Sequence, residues 1–294
     1  MASGDTTTTT ITGSINTSLI SRVMGAYALD ANVALQHMRI EPVQGLGTKT
    51  LAFQKPTKST GVAAITEGTA MSNSTLTTSN TTVAVSEVGI LRRVTKLASR
   101  TSVFGEAGLY SFVIEDGARL VMEKFEVDAW SQWTNASTSV GTSGADFTLA
   151  NYAGGLSQLF INKARGPFVC LLSGTQIKNL RAALVSSAAA HLSNGQADQV
   201  LTQTGDDGYC NSYLGCNIWA SNNAQASGGD TLGVFMVDGA ANPAYAATGV
   251  ALGWMPEPEV LGVPSIPGRD LAVTAAYGLG EINDFCYVKI TTVT

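Results

Sequence analysis

Thr101 to Trp133 reads TSVFGEAGLYSFVIEDGARLVMEKFEVDAWSQW, and its spacing predicts one long helix. Stepping by four from Leu109 gives Val113, Gly117, Val121, Phe125, Ala129 and Trp133, each apolar or small. Phe112, Leu120 and Trp130 stand at neighbouring helical positions. On a helix of roughly 3.6 residues per turn such a row creeps by about 40° per step, so the buried stripe winds around the axis. The helix therefore meets different partners along its length. Glu115 stands before Arg119 at the spacing of an ion pair, and acids alternate with bases through Glu123, Lys124, Glu126 and Asp128, which fits the same helix, each pair contributing only about tenths of a kcal/mol. Gly105, Gly108 and Gly117 each weaken helicity by about 1 kcal/mol when interior, so tertiary packing has to hold this spine.

The rest of the chain supplies that packing. Its 294 residues are 45% hydrophobic, enough for a sizeable core, and only 13% charged, about half the usual share. Thr, Ser, Ala, Gly and Asn occupy the places that Lys and Glu normally take on a solvated surface, as on a surface made to be covered. A net charge of −5 without a dense basic run argues against sequence-specific nucleic-acid binding. A secretion signal and an apolar run long enough to span a bilayer are both missing, which predicts a chain that is neither exported by a standard signal nor membrane-spanning.

Catalytic chemistry finds little to work with. The two histidines, His37 and His191, make no His-rich metal site, and no G-x-S-x-G elbow is present. Gly45-Leu46-Gly47-Thr48-Lys49-Thr50 resembles a phosphate loop only superficially, because it leads into a strand and lacks the glycine before Lys49. Asp206-Asp207 reads as a solvated turn. Cys170, Cys210, Cys216 and Cys286 form no CxxC and read as reduced, mostly buried thiols, with Cys210 and Cys216 the one pair spaced to join. The sequence therefore predicts no catalytic, cofactor-binding or metal-binding residues.

In chain order, residues 1–17 are a polar, Thr-rich arm, and Ser18 to Met38 carries a short amphipathic pattern. Thr50 to Gln54 reads as a strand. A returning strand changes phase between Val83/Val85 and Val88/Ile90, which predicts a bulge near Ser86 and Glu87. Pro56 to Asn80 between them is a soft, polar tip. An isolated ribbon is marginal in water, so this long hairpin calls for a foreign surface, and a repeated copy is the natural one. Past the spine come a helix near Leu156 to Ile161, a strand at Pro167 to Leu172 and a helix at Gln176 to Leu192. Strands follow at Leu214 to Ser221 and Gly233 to Val237. Pro256 to Pro267 reads as a stiff connection, and Leu271 to Tyr277 and Cys286 to Ile290 as a paired antiparallel couple about a Gly278-Leu279-Gly280 turn.

This order of arm, long hairpin, spine helix, mixed region and terminal strands resembles the major capsid proteins of tailed bacteriophages over essentially the whole chain. The resemblance rests on EGTAMSNSTLTTSNTTVAVSEVGILRRVTKLASR running into the spine, on GPFVCLLSGTQIKNLRAAL, on YLGCNIWASNNA and on AAYGLGEINDFCYVKITT. It implies an α+β fold with an N-terminal arm and short helix (1–42) and an extended loop (43–96) lying over an adjacent subunit. A peripheral domain (97–163 with 262–294) would hold the spine, and an axial domain (164–261) would meet its copies around five- and six-fold axes. It also implies copies of the chain as partners in hexamers and pentamers, with scaffolding, cement or decoration, and portal proteins beside them. Packaged double-stranded DNA would be contacted non-specifically, in a virion capsid assembled in the host bacterial cytoplasm without a membrane.

Charge is scarce, so Lys55, Lys58, Glu67, Arg92 and Arg93 on the hairpin stand out as intersubunit contacts that fix register. Some relatives join a loop lysine covalently to a neighbour, but ordinary pairing or solvation is the expectation for Lys55 and Lys58. Rival readings are an encapsulin-type nanocompartment shell, against which the long arm and loop count, and an extracellular lattice or adhesin protein, which would carry a secretion signal. An enzyme is the third.

Overall fold

Residues 5–6, 33–56, 67, 78–102, 104–191, 209–221, 223–224, 226–227, 230–262 and 267–293 are described by a computed structural model. After β1 (Asp5–Thr6) the described chain resumes at Val33 with a 3-10 turn, Ala34–His37, so the helix expected over Ser18 to Met38 lies mostly outside the described residues. Then come β2 (Arg39–Pro42), β3 (Thr50–Pro56), β4 (Thr78–Ala84) and β5 (Ser86–Thr95). Thr95 caps the short helix α1 (Lys96–Thr101) by accepting the Ala98 N–H at 3.3 Å. Gly105 takes a left-handed backbone, φ +69°, so the spine α2 (Gly105–Trp133) begins there and not at Thr101.

Beyond the spine follow β6 (Ser139–Val140), α3 (Leu149–Ile161), β7 (Phe168–Leu172) and α4 (Gly174–His191). The chain continues with β8 (Tyr209–Tyr213), β9 (Cys216–Ala220), β10 (Ala226–Ser227) and β11 (Asp230–Val237). It ends with β12 (Thr248–Gly262), β13 (Gly268–Glu281) and β14 (Tyr287–Val293).

Two sheets frame the molecule. One has the order β1-β5-β13-β12-β2, the other runs β6-β14-β11-β7-β9-β8 with β10 beside β11, and β3-β4 form a separate two-stranded ribbon. The terminal strands differ from expectation: β13 pairs with β12 and β5, whereas β14 pairs with β11 and β6. Alternation identifies a strand but not its neighbour, and the 3-10 turn Asp284–Cys286 carries the chain from one sheet to the other. Pro256 and Pro258 lie within β12, whose pairing with β13 shifts register between Leu252 and Glu257. They are tolerated because β2 reaches only Gly249 to Leu252, leaving the far part of β12 at a sheet edge where a missing N–H costs nothing.

The spine meets successive partners as its winding stripe predicts. Leu109 and Val113 pack with Val94, Ala98 and Leu271, while Gly117 lies so close to the sheet that a Cβ would stand 2.9 Å from Val273 Cγ2. Phe125 meets Tyr277 edge-on at 4.8 Å, and Trp130 and Trp133 enter the main core at right angles to each other. Every residue of the Leu109-to-Trp133 row is buried, but Leu120 is exposed. Lys124 pairs with Asp128; among the described residues Glu115 and Arg119 form no ion pair.

Glu126, one of the alternating acids and bases, is fully buried. Its Oε2 accepts the Ala34 N–H at 2.8 Å, and its Oε1 accepts Trp130 Nε1–H at 3.2 Å and Ser221 Oγ–H at 3.0 Å. The carboxylate thereby ties the entering chain, the spine and the end of β9 together. In the second sheet, Gln176 donates from Nε2 to Thr231 O and Thr292 Oγ1, joining α4 to β11 and β14.

Candidate assembly surfaces

The ribbon is the element least explained by the subunit's own core, and its root shows how it is held. Register places Leu51 opposite Val83 and Phe53 opposite Thr81, which turns Phe53 and Val83 onto a small cluster with Val43, Ala246, Ala251 and Ile282. The platform beneath is flat because it is glycine. A Cβ on Gly249 would stand 2.7 Å from Phe53 Cζ, and one on Gly280 would stand 2.4 Å from Val83 Cγ2. Gly278-Leu279-Gly280 is thus a smooth stretch of β13 over which the ribbon crosses, and not the turn its composition indicated. The phase change near Ser86 is the hand-over at Val85, where the strand leaves β3 and joins β13.

The candidate contact residues fall into distinct settings. Lys55 is half-buried, with Nζ 5.5 Å from the centre of the Phe285 ring of its own chain. Lys58 lies outside the described residues, and Glu67 is exposed. Arg92 and Arg93 point to opposite faces of β5, and each meets a carboxylate of its own chain. Arg92 Nη1 pairs with Asp116 Oδ2 of the spine at 2.5 Å, and Arg93 forks onto Asp270 at 2.6 and 2.9 Å. The structure thus gives both arginines an intrachain task that sequence spacing alone did not reveal.

Beside the ribbon root lies an open cleft of about 480 Å³, walled by Gly45, Thr48, Lys49, Glu87, Trp254 and Ala276. Gly45 and Gly47 both have positive φ, which bends the former phosphate-loop lookalike into the lip of this cleft. Around it the five-stranded sheet turns one face away from the spine, with Glu87, Gly89, Leu91, Glu257 and Glu259 exposed.

The buried histidine and the cysteines sit in the core. His37 is buried, 4.8 Å edge-on from Trp219, with Nδ1 3.5 Å from Asp238 Oδ2. Although burial alone would raise it, the Asp238 carboxyl is held below its ordinary value by the His37 contact and by the Ala240 and Ala241 N–H groups. All four cysteines are buried and none is in a disulfide, so Cys210 and Cys216 are not joined. Burial pushes the Cys216 thiol up to about 12, which leaves it protonated and unreactive at neutral pH. Among the described residues no group of three or more His, Cys, Asp or Glu is placed to hold a metal, and no helix is long and apolar enough to cross a membrane.

No protein-family model matches the sequence, and no curated protein matches it. Solved structures do match. A chain of Mycobacterium phage Che8 is 16% identical over 93% of this chain and 96% of its own, with a TM-score of 0.70. A chain of the cyanophage P-SCSP1u capsid is 13% identical over 95% and 93%, with a TM-score of 0.68. A chain of the capsid of Myoviridae phage XM1 is 10% identical over 95% and 97%, also at 0.68. Spine, ribbon and the two sheets together give this chain the mixed α+β fold of tailed-phage major capsid proteins.

Proposed function

We propose that this protein is the major capsid protein of a tailed bacteriophage, assembling with copies of itself as hexamers and pentamers into an icosahedral shell around double-stranded DNA. The observation that carries the reading is the full-length likeness to capsid chains, with more than nine-tenths of each chain covered. A shared domain would leave one chain overhanging; here neither does. The ribbon supports it independently, since its root is built into the subunit while Thr78, Ser79 and Asn80 at its far described end are exposed.

The work is mechanical and needs no catalytic residue. Repeated interfaces, each modest, add up to a stable shell through multivalency, and a weakly charged surface of small side chains suits burial in several settings. The proposed division is an arm (1–42), an extended loop (43–96), a peripheral domain (97–163 and 262–294) and an axial domain (164–261). The two sheets are the natural frames of the last two, with β12 and β14 each crossing into the sheet of the other segment. Lys58 and Glu67 on the ribbon tip, with Lys55 near its base, are the proposed contacts with a neighbour. Arg92 and Arg93 act from the sheet that receives it. Scaffolding, decoration and portal proteins are further proposed partners in a virion capsid assembled in the host cytoplasm.

Electron microscopy of the full-length protein, alone and with a candidate scaffold, tests this reading. Closed particles or isolated hexamers and pentamers are expected, and strictly monomeric protein under both conditions would remove the assignment. Nucleic acid inside particles from infected cells separates a phage shell from a nanocompartment enclosing a protein cargo.

A further inference from the structure

Among the described residues only two other than glycine hold a left-handed backbone, Lys163 at φ +61° and Leu214 at φ +50°. Both occupy positions where glycine or asparagine is the ordinary choice. Lys163 follows the C-terminus of α3, where its N–H donates to Phe160 O at 2.9 Å. Leu214 and Gly215, the latter at φ +77°, make the two-residue turn between β8 and β9, a turn that favours Asn-Gly. The chain accepts strain at both points and keeps a long side chain at each. The two turns share one end of the second sheet. Phe160 meets Phe168 edge-on at 5.2 Å, Phe168 lies opposite Cys216 in the ladder, and Tyr152 of α3 donates to Tyr213 O at 2.9 Å.

What these turns display is apolar and basic. Phe160, Ile161 and Leu214 are 60%, 69% and 58% exposed. Lys163 and Arg165 beside them are exposed, and neither forms an ion pair among the described residues. Asn242 Nδ2 donates to Arg165 O at 3.1 Å, which fixes the loop that carries them. The same chain has a surface of complementary character elsewhere. Past Leu252 the outer edge of β12 is left unpaired by β2, and Val260 and Leu261 are exposed there together with Glu257 and Glu259. These carboxylates also lack an ion pair among the described residues. Pro256 and Pro258 remove backbone donors and the glutamates discourage strand addition, so this edge offers side chains to a partner and not a ladder. Two unpaired cations beside apolar side chains thus match two unpaired carboxylates beside apolar side chains, and both surfaces stand uncovered within the subunit.

We propose that the surface formed by Phe160, Ile161, Lys163, Arg165 and Leu214 docks on the β12 edge of a second copy, its cations against Glu257 and Glu259 and its apolar side chains against Val260 and Leu261. The contact rests on the self-assembly reading above and lies outside the ribbon. It joins two different surfaces head to tail, so each copy both gives and receives, which is the geometry that closes a ring when the rotation permits. Apolar burial supplies the affinity, while the charges set the register and reject the pairing of two like surfaces. The strained turns fix Lys163 and Leu214 before the partner arrives, so less freedom is lost on docking.

Charge reversal in the full-length protein reads the contact. Lys163→Glu with Arg165→Glu, and separately Glu257→Lys with Glu259→Lys, should each lower particle yield in micrographs about tenfold at low salt, and all four changes in one chain should restore most of it. A combined variant that folds like the parent yet assembles no better than either pair overturns the proposal. Leu214→Asn separates docking from folding, because asparagine tolerates the left-handed turn: the unassembled subunit should melt no lower than the parent while particle yield falls. Yield equal to the parent's overturns the docking of that turn. Position is read by mixing ¹⁵N-labelled Leu214→Cys with unlabelled Val260→Cys, assembling them and adding a short bis-maleimide. The expected product joins a labelled peptide containing position 214 to an unlabelled one containing position 260. Parent chains that stay monomeric throughout sink the self-assembly reading itself, whereas particles that give neither the rescue nor the cross-link sink this contact alone.

Discussion

Arg93 grips Asp270 across the β5-β13 ladder, Nε to Oδ1 at 2.6 Å and Nη2 to Oδ2 at 2.9 Å, at a point where register sets the two residues opposite each other. The guanidinium hydrogen bonds hold the Asp270 carboxyl below its ordinary 3.8. A lowered carboxylate contributes stability that is present above the ordinary value and lost as pH falls through the lowered one. Arg93→Ala leaves a nearly buried carboxylate without its fork and should cost about 1–3 kcal/mol, measured by urea unfolding at neutral pH. Arg93→Lys should recover only part, because an ammonium does not match the carboxylate with two parallel bonds. The gap between the variants and the parent should narrow as pH falls below 3.8 and close once Asp270 is protonated in the folded chain.

Glu126 offers a sharper case. Removing it in Glu126→Ala orphans the Ala34 N–H and takes the acceptor from Ser221 Oγ–H, while Trp130 Nε1–H keeps only its 3.2 Å bond to Ser221 Oγ. A loss of about 1–3 kcal/mol for each donor left unsatisfied is expected, with a change in tryptophan fluorescence at denaturant concentrations that leave the parent folded. Glu126→Gln keeps an acceptor oxygen and should fall between the two.

The thiols predict an alkaline limit. Burial raises Cys216 and Cys286 to about 12 from an ordinary 9.0, and Cys170 well above it. A raised group leaves stability intact below its unfolded value and removes it as pH climbs toward the folded one. Each thiol then takes away about 1.4 kcal/mol per pH unit above 9. The melting temperature should drop steeply between pH 9 and 11. Cys216→Ala and Cys286→Ala, once corrected for lost packing at pH 7, should make that drop shallower.

Much of this architecture was legible in the sequence because it depends on local periodicity. The i+4 row of the spine and the alternation in β3, β4 and β13 name their own buried faces. What was not legible is set by partners distant in sequence. Glu126 looked like one acid among bases, and only the arrival of Ala34 and Ser221 makes it a buried tie. Gly278 and Gly280 looked like a turn, since glycine that accommodates a crossing ribbon has the same composition as glycine that reverses a chain. Arg92 and Arg93 looked available to a neighbour because Asp116 and Asp270, their intrachain partners, are far along the chain.

Gly249 beneath Phe53 allows the ribbon root to be disturbed from below. In Gly249→Val the new side chain meets Phe53 and Ile282 at distances under 3 Å for its first carbon alone. Overpacking of this kind costs about 1–3 kcal/mol and should displace the ribbon while leaving both sheets intact. The variant should melt a few degrees lower and form few particles by electron microscopy. Particle yield equal to the parent's would show that the ribbon's attachment angle is unimportant for assembly.

The ribbon tip can be removed without touching its root, which separates folding from assembly. Among the described residues Pro56 and Thr78 are the last paired positions, so replacing residues 57–77 by Asn-Gly joins them through a two-residue hairpin turn matched to the twist of the strands. Phe53, Val83 and the glycine platform are untouched, and so are the two sheets and the spine. Stability should therefore not fall, and the shorter connection lowers the loop-closure cost by about 2 kcal/mol. Glu67 and Lys58 go with the tip, and with them the proposed hold on the neighbour. The shortened chain should remain a folded subunit that fails to close shells, scored by micrographs beside the parent at equal concentration. Normal shells from this variant would mean that neighbours are held by surfaces other than the tip, and the extended-loop role would be withdrawn.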